Sequence, residues 1–413
     1  MVKRMNRYGL AVALALAAFG VGRAAADDRG PPNIIFVLAD DIGLSDISCY
    51  GGDHTPTPNI DSLAKDGLRF SSCYSAPLCG PLRCQLLTGR YPFRTGRTGN
   101  HSKGPEPGSE VMIPVVLQQA GYVTACVGKW GQVGGRAAAW GFAESLFGGG
   151  NYAKFATQEG KEYQPDKLHK FAVDFITRHR DKPFFLYYPM VQVHNPIGPT
   201  PDSRPNSTAK VGSAEFYADN IRYMDKLVGQ LVAEVERLGL RDKTLILFAG
   251  DNGSDSQAKD TPSTLHGRRI NGWKGTLLEG GSRVPLIANW PGVTPKGKVN
   301  DDLIDFSDMF ATFSELAGAK PPEGVKLDGH SFAPQLKGEK GSPREWVFVQ
   351  LGKGWYARDA RYKLTHDGKL FDLKDAPFVE KPVAAGAEDG GAAGSRKRLQ
   401  AVLDELKPVG GAS

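Results

Sequence analysis

The chain carries two pairs of side chains with oxygen ligands, one Asp-Asp and one Asp-Asn, each arriving at the end of a short apolar run. Ile34-Ile35-Phe36-Val37-Leu38-Ala39 leads into Asp40-Asp41-Ile42-Gly43, and Thr244–Ala249 leads into Gly250-Asp251-Asn252-Gly253. Carboxylate and carboxamide oxygens are hard ligands, so a divalent cation fits them. Taken singly, Asp40-Asp41 also reads as a strand-end turn in which an aspartate caps the next segment, and Asp-Asn-Gly is a common turn. Together they point to one shared cation site. Between them, Pro77-Leu78-Cys79-Gly80-Pro81-Leu82-Arg83 holds a C-x-P-x-R motif, followed by Leu87-Thr88-Gly89-Arg90. Pro81 suits the first turn of a helix, which sets Cys79 just before a positive helix end where an anion is stabilised. Arg83, one turn further on, would aim its guanidinium at the same spot.

These residues need a scaffold that brings distant strand ends together. Asn33–Ala39, Tyr122–Val127, Pro183–Pro189, Thr244–Gly250 and Val284–Asn289 read as strands buried on both faces. Amphipathic patterns at Pro58–Asp66, Pro81–Thr88, Val111–Ala120, Pro165–Arg180, Glu215–Leu238 and Asp305–Leu316 read as helices between them. Thr57 as N-cap, Pro58 at the first helical position, and Gly67 and Gly121 just past the ends supply the punctuation. This alternation predicts an α/β fold with a largely parallel central sheet flanked by helices. In such sheets ligands gather at the carboxyl ends of the strands, where both pairs fall.

From Arg344 the texture changes to short pieces, Trp346–Leu351, Trp355–Arg358, Tyr362–Thr365 and Lys369–Leu373, which predict a small C-terminal antiparallel α+β subdomain. Ala384–Ser395 is rich in Ala and Gly and reads as a linker, with a helix over Lys397–Leu406. At the other end, Lys3, Arg4 and Arg7 precede an apolar run from Leu10 to Val21, and Ala24-Ala25-Ala26 offers a cleavage site: an export signal over residues 1–26. That run is shorter than the roughly 20 residues a spanning helix needs, and no later segment supplies one, so stable membrane insertion is not expected. The expected organisation is thus a leader at 1–26, a catalytic domain at 27–340, the antiparallel piece at 341–383, and a linker and helix at 384–413.

With 40% hydrophobic and 23% charged residues the chain is globular. The net charge of +6 draws on Lys3, Arg4 and Arg7 and excludes little; nothing in it calls for nucleic acid. Five cysteines, Cys49, Cys73, Cys79, Cys84 and Cys126, leave one odd thiol if the others bridge.

The C-x-P-x-R segment with Thr88 and Gly89 resembles the signature of the type I sulfatases of the alkaline phosphatase-like superfamily. Further matches cover most of the chain after the leader: Asn33 to Gly43, Thr57-Pro58-Asn59-Ile60-Asp61, Gly121-Tyr122 to Lys129-Trp130, and Trp273-Lys274-Gly275 running into Glu279-Gly280-Gly281-Ser282-Arg283-Val284-Pro285. The resemblance implies hydrolysis of a sulfate monoester and conversion of Cys79 to formylglycine by a maturation enzyme; the leader implies a periplasmic or secreted location. It implies that Asp40, Asp41, Asp251, Asn252 and the converted Cys79 bind Ca2+, with Mg2+ the alternative ion. In the family the hydrate presents two hydroxyls, one to attack sulfur and one whose deprotonation expels sulfate. Arg83, Lys129 and Lys274 correspond to the cations around the sulfate. His194, in Gln192-Val193-His194-Asn195-Pro196, corresponds to the donor to the leaving oxygen.

Two positions depart from the family pattern. Leu82 replaces a small residue, and Gly128-Lys129-Trp130-Gly131-Gln132-Val133 has Gly131 where the family places a histidine against the formylglycine hydroxyl. Gln132, His101 and His266 are candidates to compensate, with His266 preferred because it lies shortly before Lys274. The substrate is expected to be a sulfated carbohydrate, shaped by loops at Thr95–Gly108, Phe147–Tyr163, Ile197–Gly212 and Ser254–Arg269. A phosphonate or phosphodiester hydrolase and a silent sulfated-glycan binder are the alternatives.

Overall fold

The computed structural model describes residues 30–131, 133–148, 162–205, 207–255, 264–384, 386 and 388–409. The leader therefore lies outside the described residues, as do Gln132 and most of the loop after Phe147. The described residues from Pro31 onward form one compact unit. No helix of the described residues is long and apolar enough to cross a membrane.

The main sheet contains β1 (Asn33–Ala39), β2 (Leu68–Tyr74), β3 (Val123–Lys129), β4 (Glu144–Gly148), β5 (Phe184–Pro189), β6 (Thr244–Gly250), β7 (Arg283–Asn289) and β8 (Lys298–Asp305). Its order is β4-β3-β5-β1-β6-β7-β2-β8. The run β4-β3-β5-β1-β6 is parallel throughout, and β7 runs against both its neighbours. Every residue of β1 is buried. Because side chains alternate across a strand, Ile35, Val37 and Ala39 enter one core and Ile34, Phe36 and Leu38 the other. Helices Pro58–Lys65, Gln164–Arg178 and Ala214–Arg237 cover the first face. Helices Cys79–Thr88, Ile113–Gln119 and Asp308–Leu316 cover the second. The result is the α/β class that the sequence predicts.

A second, antiparallel sheet follows: β9 (Val347–Leu351), β10 (Gly354–Arg358), β11 (Tyr362–Thr365), β12 (Leu370–Asp375) and β13 (Val379–Val383). Alternation again sorts its side chains. Phe348 packs with the terminal helix, whereas Val347 and Val349 pack on Tyr74 and Leu303. That helix runs over Gly390–Leu406 and so begins inside the expected linker. Asp389 caps it by accepting from the Ala392 N–H at 2.7 Å. Ala392, Ser395, Leu399, Leu403 and Leu406 supply a buried stripe at helical spacing.

The two sheets are joined through the segment after Lys274. The Glu279 N–H donates to Glu380 Oε1 at 2.8 Å. Lys363 pairs with Glu380 and donates to the Leu277 carbonyl at 3.1 Å. Tyr74 donates to Glu279 at 2.9 Å, and Ser282 and Tyr356 share a hydrogen bond of 2.7 Å. All five cysteines are free thiols. Cys73, Cys84 and Cys126 are spent on the core behind the second sheet face rather than on bridges.

Candidate active site and metal centre

Parallel register places the two pairs. Ala39 lies opposite Gly250, so Asp40 and Asp251 leave neighbouring strands side by side. The Asp251 N–H donates to the Ala39 carbonyl at 2.9 Å. Asp41 takes the left-handed backbone conformation, φ 62°, a strained position that aspartate tolerates. Its N–H donates to Asp251 Oδ1 at 3.0 Å. On the other side of β1, β5 leads to His194, and β3 ends on Lys129. The helix carrying the motif starts at Cys79 itself, with Leu78 as N-cap. The Gly80 N–H in its first turn donates to Asn100 Oδ1 at 2.9 Å.

Everything converges on the Cys79 sulfur, which is fully buried. Asp40 Oδ1 lies 3.3 Å from it, Asn252 Oδ1 3.2 Å and Asp41 Oδ1 3.7 Å. A thiol has one proton to offer, so acceptors outnumber donors here. One ligand atom from each of Asp40, Asp41, Cys79 and Asp251 fits within 4.8 Å of the others, and Asp40, Cys79 and His194 form a second such group. This oxygen-rich set, with the Asn252 carboxamide beside it, suits a hard divalent cation.

Three cations brace the carboxylates. Lys129 Nζ lies 2.6 Å from Asp40, Lys274 Nζ 2.6 Å from Asp41, and Arg83 Nη2 2.8 Å from Asp251. Arg83 also donates to the Lys129 carbonyl at 2.9 Å, and Lys129 Nζ approaches the sulfur to 3.4 Å. Burial works to raise the Asp40 carboxyl, but Lys129 and Arg83 outweigh it and hold the group well below the usual range. Burial and the adjacent Asp40 push Asp251 up to about 6 against Arg83. Burial, then Asp251 and Asp40, push the Cys79 thiol far upward. An unmodified thiol in this place stays protonated and is a poor nucleophile. His194 Nδ1 lies 2.6 Å from the Asn195 carbonyl, which assigns a proton to that nitrogen.

The family model described as sulfatase matches residues 32–319. This chain belongs to the sulfatase family. N-acetylgalactosamine-6-sulfatase of Canis lupus familiaris is 34% identical over 80% of this chain and 70% of that protein. Arylsulfatase D of Homo sapiens is 29% identical over 86% of this chain and 77% of that protein. Among solved structures, Ps i-CgsB in complex with k-i-k-neocarrahexaose matches with a TM-score of 0.76 and 27% identity, covering 91% of this chain and 92% of that one. The protein is a sulfuric ester hydrolase, a type I sulfatase of the alkaline phosphatase-like superfamily.

In this sulfatase Asp40, Asp41, Cys79, Arg83, Lys129, His194, Asp251, Asn252 and Lys274 meet at one end of the main sheet. Of the residues considered for the missing histidine, Gln132 lies outside the described residues, and neither His266 nor His101 joins them. His266 is exposed and seats its imidazole over Gly51, where an added Cβ would strike the ring at 2.1 Å; His101 is also exposed. Gly131 is exposed, and a Cβ there would meet nothing within 4 Å. The basic groups that the structure does bring to the sulfur are Lys129, at 3.4 Å, and His194, both already expected at the sulfate. Sequence reasoning also missed Asn100, and Asp255, which lies 3.6 Å from Lys274. Asp255 follows Asp251-Asn252 closely enough to have been suspected; nothing in the sequence signals Asn100.

Proposed function

We propose that this sulfatase removes sulfate from a sulfated carbohydrate, using Cys79 converted to formylglycine and a divalent cation, Ca2+ or Mg2+. Asp40, Asp41, Asp251, Asn252 and the converted Cys79 would hold the ion. The observation that carries this reading is the surplus of oxygen acceptors around one buried sulfur, at 3.2 to 3.7 Å. When bound, the cation supplies positive charge to the sulfate oxygens, and the aldehyde hydrate supplies an attacking hydroxyl with a second one to assist release. The carboxylates of Asp40, Asp41 and Asp251 are already balanced by Arg83, Lys129 and Lys274. A divalent ion therefore tips the pocket positive, as an anionic ester requires.

The remaining roles fall to the chain's own groups. Lys274 and Lys129 neutralise sulfate oxygens, and Arg83 holds Asp251 in place. Lys129, 3.4 Å from the sulfur, is also placed to hold a hydroxyl of the converted Cys79. His194, steered by Asn195, donates a proton from its other nitrogen to the leaving oxygen once it is doubly protonated. Because Cys79 is fully buried, the maturation enzyme must act before folding closes the site. Export through the leader at 1–26 completes the proposal. The carbohydrate reading is supported by the substrate named for N-acetylgalactosamine-6-sulfatase and by the neocarrahexaose bound to Ps i-CgsB.

The test pairs chemistry with turnover. Protein made beside an active maturation enzyme should show, by peptide mass spectrometry, the mass loss of thiol to aldehyde at Cys79. It should release sulfate from N-acetylgalactosamine 6-sulfate or neocarrahexaose faster than it cleaves an aryl phosphodiester, and lose that activity on chelation. Full activity with unmodified Cys79, or in metal-free protein, would reject the mechanism. Preference for the phosphodiester would favour the alternative hydrolase.

A further inference from the structure

Among the described residues, two large aromatic side chains are exposed, Phe147 at 43% and Trp273 at 44%. Each stands beside a lysine of the site. Phe147 lies opposite Gly128 in the register that sets Gly148 opposite Lys129, and Trp273 immediately precedes Lys274. Phe147 stacks on Trp130, with ring centroids 6.2 Å apart and planes 24° apart, so one of its faces serves packing. The Trp273 indole stacks on no ring and faces no cation among the described residues.

Its backbone, by contrast, is tied down at every step. The Trp273 carbonyl accepts from the Thr276 N–H at 3.1 Å and the Thr276 hydroxyl at 2.6 Å. The Lys274 N–H donates to Ser254 at 3.0 Å, the Gly275 N–H to Pro77 at 2.8 Å, and the Asn271 N–H to Pro377 at 2.9 Å. Gly272 and Gly275, with φ of 92° and 76°, make the turn that these bonds fix. A large apolar ring is thus held at the surface on a rigid support, where hydration is unfavourable and ordering on binding costs little. Successive Cα atoms lie about 3.8 Å apart, so the ring starts one residue from the lysine that reaches Asp41. A sugar whose sulfate is held by Lys274 would pass close to this turn as it leaves the pocket.

We infer that Trp273 is the stacking surface for the pyranose ring of the sulfated substrate. The C–H face of the sugar would lie on the indole, leaving the indole N–H available to a ring hydroxyl. Lys274 and Trp273 then divide the recognition between them, the first holding the sulfate and the second the ring that carries it. This inference rests on the sulfated-carbohydrate reading above and names the side chain that would enforce it.

The experiment compares wild-type, Trp273→Ala and Trp273→Tyr proteins, all carrying converted Cys79 and loaded with Ca2+. Sulfate release is followed on N-acetylgalactosamine 6-sulfate and on k-i-k-neocarrahexaose, with inorganic sulfate as a competing inhibitor that has no ring. For the sugar that the wild type hydrolyses faster, Trp273→Ala should raise KM about tenfold. It should keep kcat within about twofold and leave inhibition by inorganic sulfate unchanged, a split expected when uniform binding is lost. Trp273→Tyr should recover most of the lost affinity. Wild-type turnover with the same KM in Trp273→Ala overturns the stacking role alone. A wild type that releases sulfate from neither sugar overturns the substrate reading beneath it.

Discussion

Two buried ionic clusters, one around Arg344 and one around Cys79, are wired differently. Arg344 gives its guanidinium edge to both carboxylate oxygens of Asp308 at 2.6 to 2.8 Å and its remaining contacts to the Asp328 carbonyl, Ser307 and Tyr91. The pair is bidentate and closed, the arrangement that fixes a structural joint. Arg83 instead splits its two terminal nitrogens between Asp251 and the Lys129 carbonyl, and its Nε has no partner. Lys129 reaches Asp40 and Lys274 reaches Asp41, with Asp255 at 3.6 Å, and several oxygens face one sulfur. Both clusters are desolvated to a similar degree. Burial of charge therefore does not separate a working site from a structural joint; unmatched convergence does.

The largest expected effect falls on the open cluster alone. Cys79→Ala should lower sulfate release by about a thousandfold or more while leaving the urea midpoint of the protein close to that of the wild type. Residual turnover within tenfold of the wild type would mean that another group is the nucleophile.

The closed cluster should behave in the opposite sense. Arg344→Met leaves Asp308 buried without its partner, and loss of one member of such a pair costs about 3–5 kcal/mol. Denaturant titration should show that loss, whereas activity per folded molecule stays the same. Equal stability in the variant would erase the distinction drawn here.

A smaller effect depends on pH. Burial, with Asp308 adding and Arg344 opposing, raises the Asp305 carboxyl to about 6 from an ordinary 3.8, and its Oδ2 has no hydrogen-bond partner. Between those values the folded state keeps a proton that the unfolded state has released. This group therefore costs stability progressively as pH rises through that window, and fully above it. Asp305→Asn cannot titrate, so its stability relative to wild type should improve from pH 4.5 to pH 7.5. The same difference at both pH values would show that Asp305 titrates normally.

The smallest expected effect concerns Asn100. Asn100→Ala removes the acceptor at the first turn of the Cys79 helix and should cost about 1 kcal/mol with a few-fold fall in kcat, while Asn100→Asp retains the acceptor and should restore kcat. A fall in stability without any change in kcat would make Asn100 a merely structural cap.

Much of the molecule was legible because its signals are local. β1 and β6 are continuous apolar runs ending in acids, and their bounds are those the sequence predicts. The motif named Cys79 and Arg83 directly, although the helix begins at Cys79 rather than after it. β2, β4 and β8 were missed for a physical reason. β8 reads Lys298-Val299-Asn300-Asp301-Asp302 before it turns apolar, and its exposed edge position removes the hydrophobic pattern. The Asn100 contact and the ties between Glu279, Lys363 and Glu380 were illegible because each joins segments whose pairing is set by tertiary packing. Gly131 was visible as a departure and Lys129 was already expected at the sulfate, but only the geometry gives the 3.4 Å approach of Lys129 to the sulfur.

Those ties between Glu279, Lys363 and Glu380 bear on how such an enzyme is inherited. The arm that carries Lys274 is encoded with the first sheet but held by side chains of the second. A chimera that takes a foreign C-terminal sheet from residue 341 onward would keep every sequence motif of the site and lose the brace behind one of its lysines. Recombination at that seam is therefore penalised even where both parents are active. Lineages of this enzyme should change residues 277–282 and 356–380 in concert, so the two stretches travel as one hereditary unit despite lying in different sheets.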